Sequence, residues 1–404
     1  MAKILFLAHR IPFPPDKGDK IRAFHILRRL AADHEVWLGA GVDDPADPTR
    51  WDGAEIACQD TCFARLGRVR RGGNMLGALA RGAPLSVARF RHPELARWVD
   101  RVLTEVRPDL VFIYSSAMAQ YVLGRMPPGA RLVIDFVDAD AEKWRAYAQA
   151  ARAPMSLLYA REFRRLVAYE SGALAQAQAG ILVSRTERRL LGALIPEGAG
   201  KLHVMANGVD ADYFAPMGPW GGDGRSLVLT GRMDYPPNID AATWFAEEIL
   251  PRVQARHPNA RFRIVGSAPT AAVRALARRA GVEVTGAVPD VRPYLAQAAA
   301  VVAPLRLARG IQNKVLEGMA AARPVIATSQ ALDGIDAEPG RDVLVAEGAD
   351  AFAAAACEVL EQRAPEAIGE RARRFVLAHH QWPALLERLV PLLLTGGASA
   401  EVAA

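Results

Sequence analysis

The chain has 404 residues, of which 51% are hydrophobic and 23% charged, with a formal net charge of +6. That composition excludes wholesale disorder, and the length exceeds one comfortable hydrophobic core, so two domains are expected. The three cysteines, Cys58, Cys62 and Cys357, exclude a disulfide framework and lack zinc-site spacing, and no apolar run reaches the roughly 18 residues of a membrane span.

Residues 1–9 hold an apolar run too short for a signal peptide, so a cytoplasmic protein with reduced thiols is expected. Within it, residues 3–8 read as a buried parallel strand, followed by a Pro/Gly/Asp loop, a helix over 20–32 and a strand over 34–38. Between residues 61 and 108, ten arginines face only Glu94, Asp100 and Glu105, a local excess of +7. Such a segment attracts phosphates. Met75, Leu76, Leu79, Leu85, Val87 and Phe90 accompany it without dense aromatics. That pattern favours an anionic membrane surface over nucleic acid, with a merely solvated arginine-rich face as the alternative. The 65–107 segment is therefore assigned a peripheral contact on the inner face of the cell membrane, and no nucleic-acid partner is expected.

Strands follow at 110–114, 132–136 and 180–183, separated by a helix over 94–106 and one long helix over 140–177. The alternation then restarts, with strands at 227–230, 262–265, 282–285, 300–303 and 325–327 and helices at 241–255 and 270–279. The Gly/Pro-rich stretch 216–225 reads as a linker, residues 350–394 as helical, and the tail 395–404 as disordered. The fold class expected is α/β, two Rossmann-like domains facing across a cleft. Neither half holds a G-x-G-x-x-G fingerprint, which removes the main support for a dinucleotide dehydrogenase.

In open parallel sheets, ligands sit beyond the carboxyl ends of the strands, so the loops after strands carry the chemistry. The loop 12–20 ends in Gly18 and Asp19 at a helix start, which suits an approaching anion, or an N-cap by Asp19. Asp135, Asp138 and Asp140 close the strand at 132–136, where two of them can serve as helix caps and one as an active-site carboxylate. In the second half, Gly231-Arg232 ends a strand, and Arg is a good bidentate phosphate ligand. The basic loop 305–314 leads into a helix on which Lys314 and Glu317 stand three apart, able to face one ligand. A cation for pyrophosphate and a carboxylate for ribose hydroxyls are what a nucleotide-sugar requires; an exposed ion pair is the plain alternative.

These residues together resemble retaining glycosyltransferases of family 4, which have the GT-B fold. The resemblance spans nearly the whole chain. Asn207-Gly-Val-Asp-Ala-Asp-Tyr-Phe214 is similar to that family's entry to its second domain, and Leu316-Glu-Gly-Met-Ala-Ala-Ala-Arg-Pro-Val325 to its "EAMAxGxPV" helix. Asp16-Lys-Gly-Asp-Lys-Ile-Arg22, Asp135-Phe-Val-Asp138 and Gly310-Ile-Gln-Asn-Lys314 resemble the subgroup associated with exosortase (PEP-CTERM) exopolysaccharide systems.

The resemblance implies an acceptor-side domain over 1–205, a donor domain over 206–380 and a helix over 381–394 returning to the first domain. It implies Asp138, Arg232 and Lys314 as catalytic residues. Donor-binding positions are Gly18, Asp19, Gly231, Asn238, Gly266, Ala287, Val288, Arg309, Gly310, Asn313 and Glu317. Glu317 would hold the ribose, Arg232 and Lys314 the diphosphate, and the Ala287–Val288 backbone the base. Arg309 stands where the family has a glutamate, and Asp138 where many members have a histidine. The expected activity is transfer of a sugar from a nucleotide-sugar to a glycan or polyprenyl-linked acceptor, with no cofactor and no metal. A nucleotide-sugar epimerase or a catalytically inactive GT-B scaffold are the alternatives.

Overall fold

The computed structural model describes residues 1–15, 18–43, 47, 56–217, 223–308, 310–361 and 365–395. The chain divides into two compact units, one of Met1–Met205 joined by the C-terminal segment from Leu386, the other Ala206–Leu385. The expectations on Asp16, Lys17, Arg309 and residues 396–404 lie outside the described residues.

The first unit is a seven-stranded parallel sheet: β1 (Lys3–Ala8), β2 (Glu35–Val42), β3 (Asp60–Arg65), β4 (Leu110–Tyr114), β5 (Arg131–Val137), β6 (Ala179–Leu182) and β7 (Leu202–Val204). Their order is β3-β2-β1-β4-β5-β6-β7, so the chain reverses direction across the sheet between β1 and β4, where an α/β sheet opens a ligand site. β4 is buried along its whole length, which is why Leu-Val-Phe-Ile-Tyr shows no alternation: helices cover both faces of a parallel sheet. A buried ion pair ties the helix Gly18–Asp33 to β5. The Arg22 guanidinium donates to Asp135 at 2.7 Å and to the Met205 carbonyl at 2.9 Å. Removing one partner of such a pair costs about 3–5 kcal/mol, because the other is left buried and uncompensated.

The second unit repeats the plan with six strands: β8 (Ser226–Thr230), β9 (Arg261–Val265), β10 (Val282–Gly286), β11 (Ala300–Ala303), β12 (Val325–Ala327) and β13 (Leu344–Val345). Their order is β10-β9-β8-β11-β12-β13, parallel throughout. Phe245 and Phe262 pack with ring centroids 4.2 Å apart in its core.

Several expectations change. The helix over 140–177 is two, Asp140–Ala150 and Met155–Gln176. Pro154 lacks an N–H and excludes the preceding residue from helical geometry, so it can only stand at the start of the second. The division between the units falls at Met205, and residues 218–222 of the expected linker lie outside the described residues. The final helix, Trp382–Thr395, starts in the second unit, where the Trp382 indole packs so closely on Gly208 that a Cβ there would lie 2.7 Å from it. From Leu386 onward it belongs to the first unit, with the Arg131 guanidinium donating to the Leu393 carbonyl at 3.0 Å. Asp19 is not an N-cap: the helix begins at Gly18, and Asp19 sits inside its first turn. Neither Asp138 nor Asp140 caps the next helix, whose N-cap is Ala139.

Candidate active site

At the carboxyl end of the second sheet, β8, β9 and β10 finish side by side on glycines. Gly231 has φ 141° and Gly266 φ 155°. A Cβ on Gly266 would fall 1.7 Å from the Gly231 carbonyl oxygen, so this approach of two backbones admits only glycine. The ladder continues through the loops, with Gly231 N donating to Val265 O at 3.1 Å and Gly266 N to Gly286 O at 3.2 Å.

Asn238 ties this floor to the next helix. It stands in the first turn of the helix Pro236–Trp244, only 5% exposed. Its Nδ2 donates to the Arg232 carbonyl at 2.8 Å, and its Oδ1 accepts from Lys314 Nζ at 3.0 Å. Lys314 is the second residue of the helix Asn313–Ala320, and its ammonium also donates to Gln312 Oε1 at 3.3 Å. Lys314 Cε lies 3.5 Å from where a Gly231 Cβ would be. Glu317 follows on the same helix, and among the described residues its carboxylate accepts no hydrogen bond and lies in no ion pair with Lys314. The exposed-pair alternative is therefore not what forms.

Burial lowers the Lys314 ammonium to about 8, although Glu317 pulls it upward. Burial raises the Glu317 carboxyl to about 7, although Lys314 pulls it down. Each group is desolvated more than its neighbour compensates, the condition in which an arriving ligand gains most from supplying the missing charge or donor.

Arg232 stands just after Gly231 on this floor. Its guanidinium grips Asp234 with two bonds, at 3.1 and 2.6 Å, and it is its backbone carbonyl that Asn238 joins to the Lys314 group. Both side chains of that pair are about two-fifths exposed, so exchanging Asp234 for another anion costs little. Gly310 takes φ 64° and accepts from Gln312 Nε2 at 3.1 Å, which turns the loop into the Lys314 helix. Asn313 Oδ1 accepts from Asn207 Nδ2 at 3.4 Å. Ala287 is exposed just past β10, while Val288 leans on the core.

Gly18, Asp19 and Asp138 belong to the first unit. Burial alone would raise the Asp19 carboxyl. His9 and Arg10 outweigh it and hold Asp19 well below the usual range, Arg10 donating at 2.7 Å. Arg10 also pairs with Asp43 at 3.0 Å, so Asp19 is engaged by its own chain.

Asp138 follows a bulge at the end of β5, where Val137 takes φ 68°, beside Ser115 at φ 75° at the end of β4. A β-branched residue at positive φ is strained by about 1–3 kcal/mol and persists only where its surroundings over-determine it. Burial, then Glu187 and Asp140, raise the Asp138 carboxyl to about 7.

Sequence reasoning missed the acids around it. Glu187 accepts from Ala139 N at 2.7 Å, and Ser184 Oγ caps the Glu187 amide at 3.1 Å. That Ser-x-x-Glu spacing is a capping-box pattern visible in the sequence. Glu170, fully buried, accepts from Ser116 Oγ at 3.0 Å and is raised to about 8 by burial and then Asp140. No signal in the sequence pairs residue 170 with residue 116. Among the described residues, no group of three or more His, Cys, Asp and Glu could hold a metal ion.

Residues 224–362 match the family model for Glycosyl transferases group 1. No protein of curated function matches the sequence. Solved structures match over the full length. Sucrose-phosphate synthase from Thermosynechococcus elongatus has a TM-score of 0.72 at 19% identity, covering 97% of this chain and 98% of that one. WaaG, a glycosyltransferase involved in lipopolysaccharide biosynthesis, gives 0.68 at 17% identity, with 98% and 100% covered. HepE from Anabaena, solved in complex with UDP and glucose, gives 0.68 at 15% identity, with 98% and 100% covered. The fold of two parallel α/β sheets is thus that of GT-B glycosyltransferases.

Proposed function

We propose that this chain, a glycosyltransferase by its matched donor-side segment, moves a sugar from a nucleoside-diphosphate sugar to a glycan or polyprenyl-linked acceptor, with retention at the anomeric carbon. The observation that carries the reading is the grouping of Gly231, Asn238 and Lys314, with the buried Glu317 carboxyl three residues on along the same helix and coupled to Lys314 by charge. As the acceptor hydroxyl oxygen bonds to the anomeric carbon, the bond from that carbon to the diphosphate oxygen breaks, and its electron pair goes to the diphosphate, which also takes the hydroxyl proton. Lys314 meets that growing negative charge, joined by Arg232 once it leaves Asp234. The glycine floor lets backbone N–H groups approach the phosphates, and Glu317 accepts from ribose hydroxyls. Asp138, close to half-protonated near neutrality, orients a sugar or acceptor hydroxyl.

The UDP and glucose held by HepE make UDP-sugars the first donors to try. Exopolysaccharide assembly, as in the PEP-CTERM-associated subgroup, is the setting the sequence resemblance supports. The reading assigns no cofactor and no metal, so a chelator is expected to leave the rate unchanged. The experiment is a thermal-shift screen of UDP- and GDP-sugars, followed by transfer assays with the donor that stabilises. One donor class is expected to raise Tm in the wild type and not in Lys314→Ala. Equal stabilisation of both proteins by every donor would overturn the assignment.

A further inference from the structure

The helix Arg68–Ala80 of the first unit lies the wrong way round for a surface helix of a soluble protein. Only Ala78 along it is buried. The inner side is fixed to the body: Asn74 Nδ2 donates to the Arg91 carbonyl at 2.8 Å, and Arg161 donates to the Ala78 and Ala83 carbonyls at 3.4 and 3.1 Å. The outer side carries Val69, Leu76, Leu79 and Met75, which are 92%, 70%, 45% and 38% exposed. At 3.6 residues per turn these four fall within an arc of about 120°, directed away from Ala78. An amphipathic helix whose apolar stripe faces solvent is missing its partner.

The same face continues onto the helix Met155–Gln176. Leu157, 69% exposed, stands one turn before the Arg161 that holds the first helix. Arg164 and Arg165 are exposed, and the Arg165 guanidinium lies 3.4 Å from where a Cβ on Gly82 would be. Arg68 and Arg70 are exposed and Arg71 half-buried. The helix Arg68–Ala80 has no acid, and both acids of the helix Met155–Gln176 are buried. Glu162 turns inward to accept from Leu85 N and Ser86 N, both at 2.8 Å. The outward surface is thus apolar and cationic with no carboxylate to offset it.

We propose that this face docks on an anionic lipid surface. Val69, Leu76, Leu79 and Met75 enter the boundary of the acyl chains, and Arg68, which falls inside their arc, meets the phosphates of the headgroups together with the exposed Arg164 and Arg165. Charge decides against a second copy as the occupant, since apposing two such faces brings arginines against arginines. No helix among the described residues is long and apolar enough to cross a membrane, so attachment by this face is peripheral.

The test is sedimentation of the full chain with vesicles of phosphatidylcholine alone, or with roughly a third phosphatidylglycerol, without donor or acceptor. The readout is therefore separate from the transferase reading. Expected is binding to the anionic vesicles only, weakening as salt is raised. Val69→Ser with Leu76→Ser is expected to reduce partitioning by about tenfold or more, and Arg68→Gln with Arg164→Gln and Arg165→Gln to abolish the anionic preference, each with wild-type Tm. Equal binding to both vesicle types, unaltered binding by the serine variant, or a concentration-dependent dimer that this variant dissolves would each overturn the proposal.

Discussion

The two sheets share strand order and end in opposite chemistry. In the second unit the carboxyl end is mostly backbone: glycines at 231 and 266, one amide at Asn238 and one ammonium at Lys314. In the first unit the corresponding end is crowded with carboxyls: Asp138, Asp140, Glu170 and Glu187, set behind two residues at strained positive φ. A backbone floor with one cation suits a polyanion, whose oxygens need N–H donors and charge. Carboxyls such as Asp138 and Glu170, raised by burial and neighbouring acids, suit hydroxyl groups, to which they can donate or accept. The topology is a common frame, and the residues after each strand decide what it handles.

The comparison breaks first at Lys314. If the second unit carries the charge of the leaving diphosphate, Lys314→Ala lowers kcat/KM by about 10²–10³-fold, roughly 3–4 kcal/mol of transition-state stabilisation. Asp138→Asn, in the carboxyl-rich unit, is expected to lower kcat while leaving donor affinity near wild type. Steady-state kinetics with calorimetric donor binding separates the two, and equal loss of donor affinity in both variants erases the distinction between the ends.

Next is Gly266→Ala. The added methyl meets the Gly231 carbonyl at 1.7 Å, backbone against backbone, and must push the β8 and β9 loops apart. Expected is a loss of about 2–4 kcal/mol in chemical denaturation, with donor binding lost as well. Gly286→Ala at the end of β10 meets nothing within 4 Å and bears only the strain of φ 71°, about 1 kcal/mol. Similar values for the two substitutions would show that the close approach is not what the site needs.

These contrasts also mark what the sequence disclosed. The alternation of apolar runs and helical spacing was enough for the main strands of both sheets, because buried parallel strands such as Leu110–Tyr114 read as unbroken apolar segments. Three of the four edge strands, β3, β7 and β13, escaped, while β10 was read at 282–285. Asp60–Arg65 has few apolar residues, and Leu344–Val345 is two residues long. Gly231 could be placed directly after a strand, and Lys314 and Glu317 on one face of a helix, because a strand end and an i, i+3 spacing are local patterns. The role of Arg22 as partner of Asp135, 113 positions away, and of Glu170 as partner of Ser116, depends on packing that no local pattern encodes. Arg10 and His9, from just past the preceding strand, engage Asp19, a pairing that the sequence reading did not include.

A pH profile sharpens the comparison further. Donor capture in the second unit needs Glu317 ionised and Lys314 protonated, and these titrate at about 7 and about 8. The kcat/KM profile, which reports the free enzyme, is expected to be bell-shaped with its maximum between those values and to behave as a coupled pair. Glu317→Gln, weaker overall, should lose most of the acid limb. A limb that persists unchanged in that variant belongs to another group, and Asp138, also near 7, is then the one to substitute.

The last effect concerns stability and lies in the first unit. The Glu170 carboxyl is raised from 4.5 to about 8 by burial and then by Asp140. In the unfolded chain it ionises at its ordinary value, so between the two values the folded state binds the extra proton. The stabilisation that goes with a raised carboxyl is therefore full below 4.5 and lost as pH rises through about 8. Glu170→Gln cannot ionise, and its amide still reaches Ser116. For each pH unit between pH 5 and 8 the wild type is expected to lose about 3–5 °C in Tm relative to this variant, the two being nearly equal at pH 5. Lys314→Ala, in the other unit, should leave the difference untouched. A slope equally steep in Glu170→Gln would assign the pH sensitivity elsewhere and remove the protonated carboxyl from the account of the acidic end.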